Sequence, residues 1–478
     1  MVSLTDGRFL NENWGLTNDT AKQIYRDIVK PLRRDRGILD AHTHFSAEQI
    51  VRNEPIPDIF RAMILETDPR WKNFDHYIGQ LAGKHGVSLE YLKSSRPNKE
   101  KWQRVAEVFP LFTLNPVYTW THLELMSLGI YSLLDGASAD TIWDLANEAL
   151  QRPEHYPQKL FGNAKVICTT DDPVDDLRYH KQASGLSFKL LPTFRPDNAM
   201  NIFKGEDWKK YVDRLFELTG EKPSLQGLIT ALEFRHDFFV ENGCKASDHG
   251  LEVPYGRKPS EPDADRVFRD AYERSKFPSI NSEGAAIFIS YLMNEFARMD
   301  KAAGIVTQIH FGPVRSIDEE LLKKYGSDIG TDVSTQHFEI VRNLSPLLNQ
   351  FGRDNSDNYS IVLYCIDPTH YATVATLARA VPCVRYGSAW WFNDSLNGMN
   401  QHLNYMLQAK LWSDFTGMVC DGRKPISFGS RHDMSDRNIC SVVGAQYEAG
   451  SLPGSLVQQV VEGMIFENQN RYFKFDAA

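Results

Sequence analysis

Gly37-Ile38-Leu39-Asp40-Ala41-His42-Thr43-His44-Phe45 is a short apolar run that ends in two histidines two positions apart. Side chains at i and i+2 of a strand share a face, so His42 and His44 converge at the strand's end. Imidazole is the commonest protein ligand for zinc-like metals. A lone pair of histidines beside a turn reads equally well as solvated surface. The metal reading gains weight from the rest of the chain, where further apolar runs also end in His, Asp or Arg.

Upstream, Asn18 to Lys30 has helical spacing, with Ile24, Ile28 and Val29 on one side, Asn18 or Asp19 available as a cap, and Pro31 expected to stop the run. Downstream, residues 46–160 read as helix after helix: Ile59 to Leu65, Tyr77 to Lys84, Lys99 to Val108, Thr119 to Leu128 and Asp140 to Leu150. The rhythm then changes to β-rich runs alternating with helices. The predicted strands are Lys165–Thr170, Ser187–Phe194, Cys244–His249, Gly304–His310, Ser360–Cys365, Cys383–Gly387 and Gly417–Asp421. With the first run they make eight. Near-continuous apolar strands separated by helices indicate a parallel sheet covered on both faces, and eight such units indicate an α/β fold of the closed (β/α)8 TIM-type barrel class. A doubly wound open sheet is the alternative, but the chain has no GxGxxG or P-loop to go with it. The expected organisation is an N-terminal helix and first strand (1–45), a large helical insertion (46–160) and the remainder of the barrel (161–478).

Composition sets bounds on function. A chain of 478 residues that is 42% hydrophobic and 24% charged is globular, and a net charge of −9 with a pI near 5.9 argues against a nucleic-acid surface. The first residues lack a basic stretch followed by an apolar one, and no later run has the length of a membrane span, so a cytoplasmic protein without a membrane partner is expected. Six scattered cysteines without a C-x-x-C pair fit reduced, buried thiols. A homo-oligomer is compatible with all of this.

In such a barrel, chemistry belongs at the C-terminal ends of the strands. There the sequence puts His42 and His44, Asp171 and Asp172, Arg195, His249, His310 with Arg315, Trp390 and Trp391, and Asp421 with Arg423. Each has a plainer explanation. Asp171 and Asp172 before Pro173 suit a helix cap, His249 a hydrogen-bonded loop, Trp390-Trp391 a pocket wall, and Arg195 an ion pair with Asp197. Their joint occurrence is the argument. Two histidines with an aspartate make an open metal site, and several arginines suit a carboxylate or phosphate, so the expected partner is an anionic, oxygen-rich small molecule. Hydrolysis, isomerisation and decarboxylation all fit that description.

Longer strings narrow the choice. Asp40-Ala-His-Thr-His44, Asp75-His-Tyr77 with Gly86-Val87, Asn115-Pro-Val-Tyr-Thr-Trp-Thr-His-Leu-Glu-Leu125, Ile167-Cys-Thr-Thr-Asp-Asp-Pro173, Leu191-Pro-Thr-Phe-Arg-Pro-Asp197, Arg235-His-Asp-Phe-Phe239, Ser247-Asp-His-Gly-Leu251, Tyr386-Gly-Ser-Ala-Trp-Trp-Phe-Asn-Asp394 and Asn470-Arg-Tyr-Phe473 together resemble the uronate isomerases of the amidohydrolase superfamily. The resemblance runs from about Asp40 to Phe475. It implies an aldose–ketose isomerase that interconverts D-glucuronate with D-fructuronate and D-galacturonate with D-tagaturonate through a cis-enediol. It further implies His42, His44 and Asp421 as ligands of a divalent metal, zinc, with Asp421 as the base and Tyr77 and Arg423 as a proton relay. His76, Arg195, His310, Arg315 and Trp390 are then substrate-binding. Thr43 stands where many members have Cys, and Gly422 where many have Ser. The rival reading is a metal-dependent amidohydrolase or deaminase on the same barrel, for which Asp248-His249 and His370 would be the groups to watch. A non-catalytic sugar-acid sensor is a remoter rival.

Overall fold

The computed structural model describes residues 6–65, 75–280, 282–335, 338–353 and 358–477, with the His76 side chain outside that set. The parallel strands are β1 (Ile38–Asp40), β2 (Ala164–Cys168), β3 (Lys189–Leu191), β4 (Ala246–Leu251), β5 (Val306–Phe311), β8 (Ile361–Cys365) and β9 (Val384–Tyr386). Two short strands, β6 (Pro313–Val314) and β7 (Val333–Ser334), form an antiparallel pair in the connection after β5. β1, β2 and β3 pair in one parallel sheet, and β4, β5, β8 and β9 in another. Phe194 joins them by bridging Asp171 on one side and Ser247 on the other.

The ring closes through residues 415–422, which contain the predicted eighth strand, Gly417–Asp421. Thr416 N–H donates to Tyr386 O at 3.0 Å, Asp421 N–H to His42 O at 3.2 Å and His44 N–H to Gly422 O at 2.8 Å. This stave is not the regular strand that the sequence pattern predicts. Gly417 (φ 86°) and Asp421 (φ 48°) take left-handed conformations that break the ladder. The Asp40 carboxylate, not a backbone carbonyl, accepts from Cys420 N–H at 3.1 Å. Barrel closure therefore rests partly on one buried side chain, which also accepts from His42 N–H at 3.1 Å and lies 2.9 Å from His432 Nε2.

Strand alternation sets what faces the barrel interior. In β5, Gln308 and His310 point inward, with Gln308 reaching Ala41 O at 3.2 Å and accepting from Tyr364 Oη at 2.9 Å. Thr307 points outward to Asp300 on the helix Glu283–Ala303. Tyr364 lies parallel to His310, with ring centroids 4.1 Å apart. A β-carbon at Gly387 would come within 1.9 Å of the Tyr364 ring, so only glycine lets the chain pass there.

Pro31 does not end the first helix. A π-helical turn, Tyr25–Val29, precedes it, with Lys30 N–H bonding Tyr25 O, and Pro31 then sits in the first turn of Lys30–Arg36. In that position its missing N–H costs nothing. Between β1 and β2 the described residues form helices that include Ile59–Met63, His76–Gly83, Asn98–Val108, Pro116–Ser127 and Ala139–Leu150. They bury a cluster of their own, around Phe60, Trp102, Phe109 and Ile142, which continues into the barrel through Met418, Ile426 and Met434. All six cysteines are buried free thiols. Among the described residues no helix is long and apolar enough to cross a membrane.

Candidate active site

The mouth of the barrel holds a pocket that opens to solvent. His42, His44, Tyr77, Arg195, His310, Arg315, Trp390, Asp421 and Arg423 all line it. The strand ends thus meet at one place, as the sequence pattern predicts, and Tyr77 from the helical segment joins them there, as the family resemblance implies. His76 is the exception, because its side chain lies outside the described residues.

Asp421 sits at the centre. Its Oδ1 is 3.1 Å from His42 Nε2 and 3.1 Å from His44 Nε2, and its Oδ2 accepts from Trp390 Nε1 at 3.0 Å. Burial pushes its carboxyl up, but the hydrogen bonds of His42 and His44 and the charge of His42 outweigh burial and hold it well below the usual carboxylate range. Burial also pushes the His44 imidazole down to about 3, leaving it neutral, with Nδ1 fixed 2.6 Å from Thr170 Oγ1. For His42, burial is outweighed by Asp248 and Asp421, which together raise it.

Behind this group lies Asp248, fully buried. Its Oδ1 is 2.7 Å from His310 Nδ1, and its Oδ2 is 2.9 Å from Arg195 Nη1 and 3.8 Å from His42 Nδ1. Burial would raise the Asp248 carboxyl; Arg195, His42 and His310 hold it well below its ordinary value. Arg195 also donates to Asp197 Oδ2 at 3.0 Å, so two carboxylates already share its charge. Arg315 is more open: its side chain is 42% exposed, lies over the Trp391 ring at 5.1 Å and is 3.4 Å from Asp332 Oδ2. Arg423 donates to Asp328 Oδ1 at 3.1 Å. Burial raises the Tyr77 phenol well above its ordinary value, so it stays protonated.

Two imidazoles and a carboxylate whose ligand atoms lie within 4.8 Å of one another fit a divalent cation with a position left open. The electrostatics agree, because the carboxylates that favour a proton on His42 favour a cation equally. His42, Asp248 and His310 also lie close together, but the guanidinium 2.9 Å from Asp248 already supplies the positive charge there.

His249, expected in a hydrogen-bonded loop, lies in strand β4 and faces away from the pocket. It stacks on Phe296 at 5.4 Å, and its Nε2 is 3.1 Å from Ser247 Oγ. Strand β4 runs two residues past its predicted end, and its alternation puts Asp248 beside His310 on the inner face and His249 against Phe296 on the helix side. His370 packs on Phe338 at 4.8 Å and is not part of the pocket wall. Asp172 accepts from Val174 N–H and from Tyr211 Oη, a capping role.

The sequence model of the glucuronate isomerase family matches residues 7–473. The chain belongs to that family. It is 39% identical to a uronate isomerase of Thermotoga petrophila, over 97% of this chain and 99% of that one, and 33% identical to one of Cellvibrio japonicus, over 98% and 99%. The crystal structure of the uronate isomerase of Thermotoga maritima superposes with a TM-score of 0.89 at 37% identity, over 97% of this chain and 99% of that one. That of the glucuronate isomerase of Caulobacter crescentus does so with a TM-score of 0.89 at 25% identity, over 98% and 97%. Family members are enzymes that interconvert aldose and ketose uronates, and so is this chain.

Sequence reasoning did not single out Lys424 or Arg431, which also line the pocket. Arg431 pairs with Asp394 and stacks over Trp120 at 4.8 Å. The signal was present in the cluster Asp421-Gly-Arg-Lys424 at the last stave. A lysine beside an arginine reads as surface charge until its partners in the insertion are known.

Proposed function

We propose that the enzyme isomerises D-glucuronate to D-fructuronate and D-galacturonate to D-tagaturonate. The observation that carries this reading is the convergence of Asp421, Tyr77 and Arg423, a carboxylate, a phenol and a guanidinium, on one pocket that also holds Arg195, Arg315 and His310. In the open-chain sugar acid the carbonyl at C1 acidifies the hydrogen on C2. Asp421 takes that proton and later delivers it to C1. Tyr77 and Arg423 pass a proton from the oxygen on C2 to the oxygen on C1, so the sequence aldose, cis-enediol, ketose balances without a redox cofactor. A divalent cation, zinc in this reading, held by His42, His44 and Asp421, would supply positive charge to stabilise the enediolate. Trp390 orients the Asp421 carboxylate through its indole N–H. The substrate carboxylate falls to the arginines, with Arg315 the more available fork and Arg195 and His310 held behind it by Asp248; His76 is assigned to the same substrate-binding group. The same reading makes this a cytoplasmic enzyme acting on a free sugar acid.

The test is Tyr77→Phe, which removes one hydroxyl and keeps the ring's volume. As a relay, Tyr77 should be worth roughly 10² or more in kcat with little change in KM, since its contact is made in the transition state. An unchanged kcat would return Tyr77 to the pocket wall.

A further inference from the structure

Lys424 has no part in the proton transfers above, yet its side chain is only 15% exposed at the edge of the pocket. Its ammonium faces three oxygens, each from a different element of the helical insertion. It donates to Met63 O at 2.8 Å, at the last residue of the helix Ile59–Met63. It lies 2.9 Å from Asp75 Oδ2 and 3.8 Å from Glu124 Oε2. Asp75 caps the helix His76–Gly83, its Oδ1 accepting from Tyr77 N–H at 3.1 Å and Ile78 N–H at 3.2 Å. Glu124 belongs to the helix Pro116–Ser127, which also presents Trp120, and the Tyr77 ring meets the Trp120 ring edge-on at 5.4 Å. One carboxylate therefore joins the closing stave of the barrel to the first turn of the helix that carries Tyr77.

The charges make this join specific. Glu124 is 2% exposed, and burial raises its carboxyl while Lys424 opposes that rise. Burial works against a charged Lys424 too, but Asp75 and Glu124 outweigh it. A buried ammonium that donates to Met63 O and pairs with Asp75, with Glu124 a second ion-pair partner, is directional, because moving either carboxylate away leaves a buried charge unpaired.

We propose that Lys424 is a positioning residue that fixes the Tyr77 hydroxyl over the substrate by clamping the cap of its helix to the barrel. The proposal rests on the reading of Tyr77 as the proton relay. A displacement of about 1 Å at a catalytic group costs on the order of 10² in rate, so loss of the clamp should appear in kcat.

The experiment is a double-mutant cycle on D-glucuronate with Lys424→Met, Tyr77→Phe and the pair, with thermal unfolding of each variant recorded. Lys424→Met should lower kcat by about 10- to 100-fold with KM within about threefold. The same substitution should add almost nothing in the Tyr77→Phe background. Lys424→Met combined with Glu124→Gln, which removes the more buried of the two carboxylates left unpaired, should be equally slow and should unfold at a higher temperature than Lys424→Met alone. Should either Met variant fail to fold, Lys424→Arg, which keeps the charge but moves it, is read in the same cycle and should be slow only when Tyr77 is present. Wild-type kcat in the Lys424 variants, losses that multiply with a slow Tyr77→Phe, or a change confined to KM would each overturn the clamp. A silent Tyr77→Phe would instead remove the relay, and with it the object that Lys424 positions.

Discussion

Asp248→Asn probes the buried acid that organises the wall of the site. The carboxylate is 0% exposed and makes two charge-assisted contacts, 2.7 Å to His310 Nδ1 and 2.9 Å to Arg195 Nη1. Asparagine keeps one acceptor oxygen, so one of the two contacts survives, and Arg195 keeps its ion pair with Asp197. Hydrogen bonds to charged groups contribute about 1.5–3 kcal/mol each, and breaking a buried ion pair costs about 3–5 kcal/mol. The expected loss is therefore about 3 kcal/mol at pH 7. Its pH dependence has a definite sign. The folded-state carboxyl is held below its ordinary value, so its stabilisation is complete above the unfolded-state pKa of about 3.9 and is lost as pH falls below it. Urea unfolding of chelator-treated protein, followed by tryptophan fluorescence, should show a constant gap between the two proteins from about pH 7 to pH 5 that narrows by roughly 1 kcal/mol by about pH 3. A gap under about 1 kcal/mol at pH 7, or one that widens in acid, would refute the reasoning.

Asp421→Asn should reduce turnover by about 10² to 10⁴, since an amide cannot accept the C2 proton, and should lower the metal content of purified protein measured by elemental analysis. A folded variant with near-normal turnover would show that another group is the base. Arg315→Lys should raise KM for D-glucuronate about tenfold with little effect on kcat, because an ammonium cannot reproduce a bidentate contact. An unchanged KM would take Arg315 off the substrate carboxylate.

The barrel was legible because its strands are buried on both faces and so read as unbroken apolar runs, Ser360–Cys365 being the clearest. The closing stave misled in one respect. Val419 and Cys420 carry the composition of a strand, but a side chain, Asp40, supplies the hydrogen-bond partner, and no local pattern encodes that. Pro31 failed as a stop signal because a π-turn ahead of it absorbs the missing donor. At the site, residues that project from strand ends were readable from position alone. Asp248 and His249 were not separated, since a shift of one residue in register exchanges inward and outward faces. Lys424 lay beyond reach for another reason: its partners Met63, Asp75 and Glu124 are some 300 or more positions away in the chain.

The central claim, proton transfer between C2 and C1 of a hexuronate without redox chemistry, is tested most directly by incubating the purified enzyme with D-glucuronate in deuterated water, with no nicotinamide added, and following C1 and C2 by NMR. The account predicts that the keto-acid appears, with C1 carrying either the hydrogen from C2 or deuterium where the proton on Asp421 exchanges with solvent, and that the reverse reaction returns the aldose. Absence of the keto-acid with metal-loaded, folded enzyme, on D-galacturonate as well as D-glucuronate, would contradict it.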